Sequence, residues 1–323
     1  MKVLILGGTG FIGRHLTTRL IEAGHEVAVF HRGKRLVRFP RPVLHIHGNR
    51  SRLVESTRAF ALFAPEVVVD LIALSEADAQ SAVQLFSGRA ERLVCASSMD
   101  VYQAYGSFRR LETSAVRRHP LSEGSPLRTV LFPYRALARK KSDLLFCYEK
   151  ILVERTIMNS ARLPATVLRL PQVFGPHDKQ HRLRIYLQRM DAGEDIVISD
   201  AKARWRWTRG YVEDIAAGFV LAATNPRASG RIYNIGESKA ESEKDWIQRI
   251  GEAAGWTGRL TVVPEDALPA ELEEPYDWNH HLAGATARIR RELGYHEKNS
   301  PAEAMGRSVR WERSQLQSRK RSK

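Results

Sequence analysis

Cysteine is nearly absent, with two in 323 residues, Cys95 and Cys147. Cys95 closes an apolar, strand-like run and Cys147 lies in a helical pattern, so no disulfide framework organises the fold. A reducing, cytoplasmic setting is expected. No run of eighteen apolar residues occurs, which excludes a membrane-spanning helix of ordinary composition. Residues 1–6 read as a strand directly behind Met1, with one lysine and no cleavage pattern, rather than as a signal peptide. Acid is scarce beside base: 36 Asp and Glu stand against 51 Lys and Arg, for a formal charge of +15. Such a balance permits nucleic acid or anionic surfaces as partners. Arginine far outnumbers lysine, and the basic residues are mostly scattered. They gather only at Arg32, Lys34, Arg35, Arg38 and Arg41, at Arg139-Lys140-Lys141, and in the tail Arg319-Lys320-Arg321-Lys323. A dedicated nucleic-acid role is therefore the weaker reading.

What is present comes first in the chain. An apolar run, Val3 to Leu6, leads into Gly7-Gly8-Thr9-Gly10-Phe11-Ile12-Gly13, and an apolar periodic stretch follows to Ala23. Strand, glycine turn and helix present free backbone N–H groups to a pyrophosphate. The first glycine makes the turn, the second admits the phosphate, and the third lets helix pack on strand. A nucleoside-triphosphate loop would need Lys-Ser or Lys-Thr after its last glycine; Arg14-His15 stand there. The turn points to a dinucleotide, through Gly7, Thr9, Gly10, Phe11, Ile12 and Gly13.

The first half alternates in period. Strands are predicted at Val3–Leu6, Val27–Phe30, Val43–Ile46, Val67–Leu71 and Leu93–Ala96, with helices at 11–23, 52–63 and 76–86 between them. A helix over 143–161 leads to a sixth strand, Thr166–Leu170. Near-continuous apolar strands mean burial on both faces. The fold class is α/β, a Rossmann-like doubly wound parallel sheet. Beyond Pro171 the alternation fails. Helices are expected at 180–192, 212–223 and 242–254, and short strands near 196–198, 205–209, 232–235 and 260–263. Irregular structure is expected over the proline-bearing 264–285.

The spacing of Gly7, Gly10 and Gly13 resembles the extended short-chain dehydrogenase/reductases, the NAD(P)-dependent epimerase/dehydratase family. Ser97-Ser98-Met99-Asp100-Val101-Tyr102, Lys150-Ile-Leu-Val-Glu154, Arg169-Leu-Pro-Gln-Val-Phe-Gly-Pro176, Tyr211-Val-Glu-Asp-Ile-Ala216 and Tyr233-Asn-Ile-Gly236 are similar to that family's segments and follow its order. The resemblance implies a dinucleotide domain over 1–171, with returning segments at about 205–236. It implies a smaller C-terminal substrate domain from 172–204 and 237–310. Residues 311–323 are read from composition as a basic tail, polar and expected to fray over 312–323. The resemblance implies an NAD(P)-dependent oxidoreductase, epimerase or dehydratase acting on a small, anionic or sugar-like carbonyl substrate. No membrane is involved, and a homodimer is compatible. A catalytically altered dinucleotide-binding protein, RNA-associated like some drifted members, is the alternative.

Two further absences bear on the site. The predicted second strand ends Phe30-His31-Arg32-Gly33, with no acid to hold a ribose 2′-hydroxyl. Arg32 suits a 2′-phosphate, which favours NADP over NAD. Where the family carries Gly-Asp after the third strand, Gly48-Asn49 stands, so Asn49 is the expected adenine contact. Val173, in the segment Arg169 to Pro176, and Lys150 are further cofactor contacts expected from the resemblance.

The second absence is catalytic. The family's chemistry uses Tyr-x-x-x-Lys on one helical turn, with lysine holding the ribose and lowering the tyrosine pKa. Lys150 matches the lysine and Ser98 the serine that binds the reacting oxygen, but Phe146 occupies the tyrosine position. Tyr148 lies two residues before Lys150, and on a continuous helix it would point about 200° away. It is the nearest replacement, alongside Tyr102, Tyr105, Tyr134, His177, His181, Asp100 and Cys147. On the substrate side, Arg204-Trp205-Arg206-Trp207-Thr208-Arg209 would, by strand alternation, put three arginines on one face. That face is read either as an anion site or as a solvated surface. The arginine that diphosphate-sugar-binding members place seven residues before Asp214 is Trp207 here.

Overall fold

The computed structural model describes residues 1–34 and 37–321, and the side chains of the last helix as far as Leu316. Arg35, Lys323 and the side chains of Arg319, Lys320 and Arg321, all noted above as basic, lie outside the described set. In chain order the strands are β1 Lys2–Leu6, β2 Glu26–His31, β3 Leu44–His47, β4 Val67–Asp70, β5 Arg92–Ser98, β6 Ala165–Leu170 and β7 Gln172–Phe174. Then follow β8 Ile196–Ser199, β9 Arg206–Trp207, β10 Arg209–Tyr211, β11 Arg231–Asn234, β12 Glu241–Ser242 and β13 Leu260–Val263. The helices are α1 Phe11–Glu22, α2 Thr57–Phe63, α3 Glu76–Phe86, α4 Gln103–Phe108, α5 Leu144–Cys147 and α6 Lys150–Met158. They continue with α7 Arg184–Asp191, α8 Asp200–Arg204, α9 Val212–Thr224, α10 Glu243–Ala254, α11 Ala287–Leu293 and α12 Pro301–Arg321.

Seven strands form one parallel sheet in the order β11-β6-β5-β4-β1-β2-β3. Alternate residues of β1 feed opposite faces. Val3 and Ile5 join a core with α1, α9, α10 and α12, and Leu4 and Leu6 join one with α2, α3 and α6. This two-sided burial is why the strands read as apolar runs. The strand order reverses between β1 and β4, and a cleft opens there at the carboxyl ends of the strands. Smaller sheets (β7 with β10, β8 with β13, β9 with β12) and the later helices complete the molecule.

Three expectations are corrected. The predicted helix over 143–161 is two helices, because Tyr148 and Glu149 are extended (φ −63°, ψ 117° and φ −158°, ψ 101°). The strand over 205–209 is split at the buried Thr208, whose hydroxyl exchanges hydrogen bonds with the Gly284 backbone. The tail is not frayed from 312, since α12 runs to Arg321. It is anchored by Glu312, which holds His181 and Arg184.

Candidate active site

The glycine turn has no room for larger residues. Gly7 adopts φ 94°, takes a hydrogen bond from Gly10 N–H at 2.9 Å and donates to Phe30 C=O at 2.9 Å. A Cβ on Gly13 would lie 2.2 Å from the Gly7 oxygen and 2.8 Å from the Gly8 Cα, both backbone atoms. Gly10 begins α1 and supplies no side-chain cap, so the first N–H groups of the helix are left for a ligand. A tight cradle at an uncapped helix start fits a pyrophosphate. Thr9 is buried within the turn. Phe11, Ile12 and Val173 line the adjoining cleft, a cavity of about 630 Å³.

At the adenosine end, β2 closes on His31 and Arg32 stands exposed beyond it. Asn49 is exposed, and its Oδ1 accepts the Ser51 N–H at 3.3 Å, capping the turn of Arg50–Ser56. Arg50 pins that turn to Asp70 at the end of β4, at 2.8 Å. Sequence reasoning missed a histidine trio here. His31 Nε2 meets His45 Nδ1 at 2.8 Å, and the His31 and His47 rings stand 4.8 Å apart, edge to face. Gly33 N–H donates to His31 Nδ1 at 3.1 Å, so the His31 proton sits on Nε2 and points to His45. The alternation in Leu44-His45-Ile46-His47 was the available signal.

The cleft also collects Ser98, Tyr148 and Lys150. Extended backbone at Tyr148 and Glu149 puts side chains two apart on one side, as in a strand. Tyr148 and Lys150 therefore meet: Lys150 Nζ lies 5.9 Å from the Tyr148 ring centre. This overturns the helical expectation that Tyr148 faces elsewhere. Phe146 is not among the residues that line the cleft. It is half-buried under the Arg135 guanidinium, 4.8 Å from its ring centre, and its carbonyl accepts from Arg135 Nε. Lys150 is buried and donates to the Ala73 and Ala96 carbonyls at 2.6 and 2.8 Å.

Glu149, also missed, causes the break. Its fully buried carboxylate pairs with Arg128 at 3.0 Å, caps the Ile151 N–H at 2.9 Å and accepts from Phe132 N–H at 2.6 Å. Its own N–H is tied to Leu74 C=O. No local pattern betrays it, because Arg128 lies twenty-one residues upstream.

Asp100 sits beyond Ser98, whose hydroxyl accepts the Asp100 N–H at 3.2 Å. Its Oδ2 receives the hydroxyls of Tyr148 at 2.8 Å and Tyr134 at 3.0 Å, and Tyr134 meets the Tyr105 hydroxyl at 2.7 Å. Burial pushes the Asp100 carboxyl up, against the pull of Arg128 and the two hydroxyls. Burial and then Asp100 drive the Tyr148 phenol well up, while Ser98 pulls it down. Other candidates fall outside this group. Tyr102 is buried, donating to Asn234 at 2.6 Å. His181 stacks on Trp311, His177 turns its edge to the same ring, and Cys147 is exposed.

The three arginines of 204–209 do not share a face. Arg204 pairs with Asp200 on α8, Arg206 is exposed and donates to the Ala240 carbonyl, and Arg209 is buried against Glu243. The shared arginine face, read from sequence as either an anion site or a solvated surface, is absent, because α8 ends at Arg204 and Thr208 breaks the strand. Trp207 lines the cleft instead.

A parallel sheet with a tight glycine turn and an uncapped helix start at its switch point, and a Ser, Tyr and Lys at the cleft, has the architecture of a dinucleotide-binding α/β protein. The chain belongs to the NAD dependent epimerase/dehydratase family, whose model matches residues 3–115 and 145–236. It is thus, at family level, an NAD(P)-dependent enzyme of oxidoreductase type. It is 25% identical over 281 residues to 2′-dehydrokanamycin reductase of Streptomyces kanamyceticus, covering 85% of this chain and 72% of that one. It is 23% identical over 268 residues to the chloroplast stem-loop binding protein of 41 kDa b of Arabidopsis thaliana, covering 79% of this chain and 64% of that protein's length. Among solved structures it resembles the Thermotoga maritima UDP-glucose 4-epimerase with UDP-glucose (TM-score 0.72, 20% identity, 98% and 100% of the chains covered). It also resembles the Thermus thermophilus UDP-glucose 4-epimerase complex with NAD (TM-score 0.68, 21% identity, 97% and 99% covered).

Proposed function

We propose that the protein is an NAD(P)-dependent oxidoreductase of a polar carbonyl or alcohol, working through Ser98, Tyr148 and Lys150 rather than through residue 146. The observation that carries the reading is that these three side chains line one cleft beside the uncapped start of α1. The dinucleotide, when bound, supplies or accepts hydride. Phe11, Ile12 and Val173 wall its nicotinamide end, and Gly7, Thr9, Gly10 and Gly13 receive the pyrophosphate. Ser98 orients the reacting oxygen. Tyr148 gives that oxygen its proton, or takes it in the reverse direction. Lys150, at the cleft with two of its ammonium hydrogens on the Ala73 and Ala96 carbonyls, holds the ribose with the third and offsets developing negative charge. Arg32 and Asn49 belong to the adenosine end, and Arg32 favours NADP(H).

The experiment is hydride transfer measured by nicotinamide absorbance with UDP-glucose, an uncharged keto sugar and nitrobenzaldehyde. Tyr148→Phe is expected to lower the rate by about 10²–10⁴-fold, with cofactor affinity retained in calorimetric titration. NADPH should bind more tightly than NADH, and Arg32→Ala should remove the difference. A Tyr148→Phe protein as fast as its parent sinks the assignment. Cofactor binding without turnover, joined to salt-sensitive retention of RNA, would favour the second reading, which rests on the chloroplast relative's name and the +15 charge.

A further inference from the structure

Asp100 is the least explained polar group at the cleft. It is 6% exposed, lines the cavity, and its Oδ1 is buried with no hydrogen-bond partner. No cation pairs with its carboxyl among the described residues. Arg128 approaches from below, but its Nε takes the Asp100 backbone carbonyl and its terminal nitrogens take Glu149 and the Val130 carbonyl. Lys150, on α6, is committed to two carbonyls. The groups facing the carboxyl are hydroxyls: Tyr148 from the extended segment, Tyr134 from the loop before α5, and Tyr105 of α4 behind Tyr134. Arg109, half-buried, reaches the Tyr105 hydroxyl at 3.4 Å and continues the row outward.

A buried carboxylate with one idle oxygen and no partner cation is costly, and the neutral acid removes that cost. The same contact penalises a phenolate at Tyr148, which would face a carboxylate 2.8 Å away. The two groups cannot both be ionised cheaply, so they titrate as a pair. We infer that Asp100 is the proton store for Tyr148, the two side chains holding an exchangeable proton between them, with Tyr134 and Tyr105 as its line to the surface.

This rests on the assignment of Tyr148 as the proton donor. In the reductive direction the Tyr148 O–H bond breaks and its proton goes to the substrate oxygen as hydride reaches the carbonyl carbon. The proton on Asp100 then crosses to the phenolate oxygen, restoring the phenol and leaving a carboxylate. That transfer runs downhill, since a carboxylic acid is the stronger acid. Tyr134 and Tyr105 return a proton from solvent to Asp100. Asp100 touches no substrate in this scheme and acts through Tyr148, as a positioning and proton-supplying residue.

The test uses the whole protein with bound NADP, and three variants: Asp100→Asn, Tyr148→Phe and Tyr134→Phe. Asparagine keeps the acceptor oxygen for both tyrosines but carries no exchangeable acid proton. In infrared difference spectra taken through a pH titration, the parent should show a carboxylic-acid band persisting above the usual aspartate range and missing from Asp100→Asn. Tyr148→Phe and Tyr134→Phe should each move its midpoint upward, because each removes a donor that favours the carboxylate. Reciprocally, the ultraviolet phenolate titration assigned to Tyr148 should move down in Asp100→Asn. Asp100→Asn should slow turnover of the best carbonyl in the panel about 10²–10⁴-fold and flatten its pH profile, with cofactor affinity unchanged. An Asp100 band that titrates in the ordinary range, or that ignores Tyr148→Phe, overturns the proposal, as does full turnover by Asp100→Asn. Coupled titrations in a protein that reduces none of the carbonyls would leave the pair standing and sink the oxidoreductase reading instead.

Discussion

The glycine turn 7–13 and the segment 128–150 both reach the same cleft, and they are built by opposite means. The turn is local. Its shape follows from four glycines within seven residues, and a neighbour's backbone forbids a side chain at Gly13. The segment that carries Tyr148 is non-local. Tyr148 stands in the cleft because Glu149, buried against Arg128, holds two residues in extended form ahead of α6. One region carries its conformation in its own residue types. The other borrows it from an ion pair across twenty-one residues. A region of the first kind is readable by pattern, and one of the second kind is free to vary its register.

The comparison breaks most readily at Glu149. Removing one partner of a buried ion pair typically costs about 3–5 kcal/mol. Glu149→Ala is expected to destabilise the protein by that order in urea unfolding and to abolish turnover. Where it fails to fold, the pair Arg128→Met with Glu149→Met separates the two roles. A hydrophobic replacement of both charges is often neutral in stability, yet it leaves Ile151 and Phe132 without their acceptor. Stability should hold while turnover falls. Full activity in a stable double variant would show that Glu149 does not place Tyr148.

This also marks what was legible in the sequence. The parallel sheet was in large part, since β1, β2, β4, β5 and β6 are buried on both faces and so read as apolar runs, whereas the edge strand β3 exposes Leu44, His45 and His47. Ser98 and Lys150 were singled out by the resemblance of their segments to the family's, and both line the cleft. The 143–161 helix was misread because Leu144, Leu145 and Ile151 keep a helical spacing across a break held from Leu74, Arg128 and Phe132, all outside the segment. The arginines of 204–209 were misread for a related reason, since one buried threonine, Thr208, ends the alternation. The histidine trio was missed because β2 and β3 are joined only by the sheet register, His31 opposite His47.

Acid should sharpen the contrast with a smaller effect. At the phosphate end, burial and the adjacent Arg14 lower His15 to about 4, and burial with Arg14 and His15 lowers His177 to about 4. A histidine held neutral in the fold takes up its proton first in the unfolded chain. Stability from these two groups is therefore complete above about pH 6.5 and declines as pH falls toward 4. Asp100, raised by burial, has the opposite sign: it binds its proton more readily in the fold, so its contribution weakens as pH rises above the ordinary aspartate value. Since His15 is only half-buried and His177 is exposed, the histidine loss is expected to be about 1–2 kcal/mol after solvent screening. Thermal unfolding of the parent and of His15→Gln from pH 7 to pH 4 measures it. Equal slopes in the two proteins would remove His15 from the account.

Phe146→Tyr should do least, and its smallness is informative. Were 143–161 one helix, the new hydroxyl would stand a turn from Lys150 and face Ser98, and hydride transfer should rise by about 10²–10⁴-fold. In the structure residue 146 lies in α5, separated from Lys150 by two extended residues, with its ring beneath Arg135. A hydroxyl added there reaches no cleft residue and competes with nothing that binds substrate. The expected change in turnover is within about twofold, the size of an ordinary surface substitution, and the pH profile should stay that of the parent. A large gain would mean that the segment can close into a continuous helix when given the chance. Glu149 would then be a latch between two registers of the catalytic tyrosine rather than a fixed anchor for one.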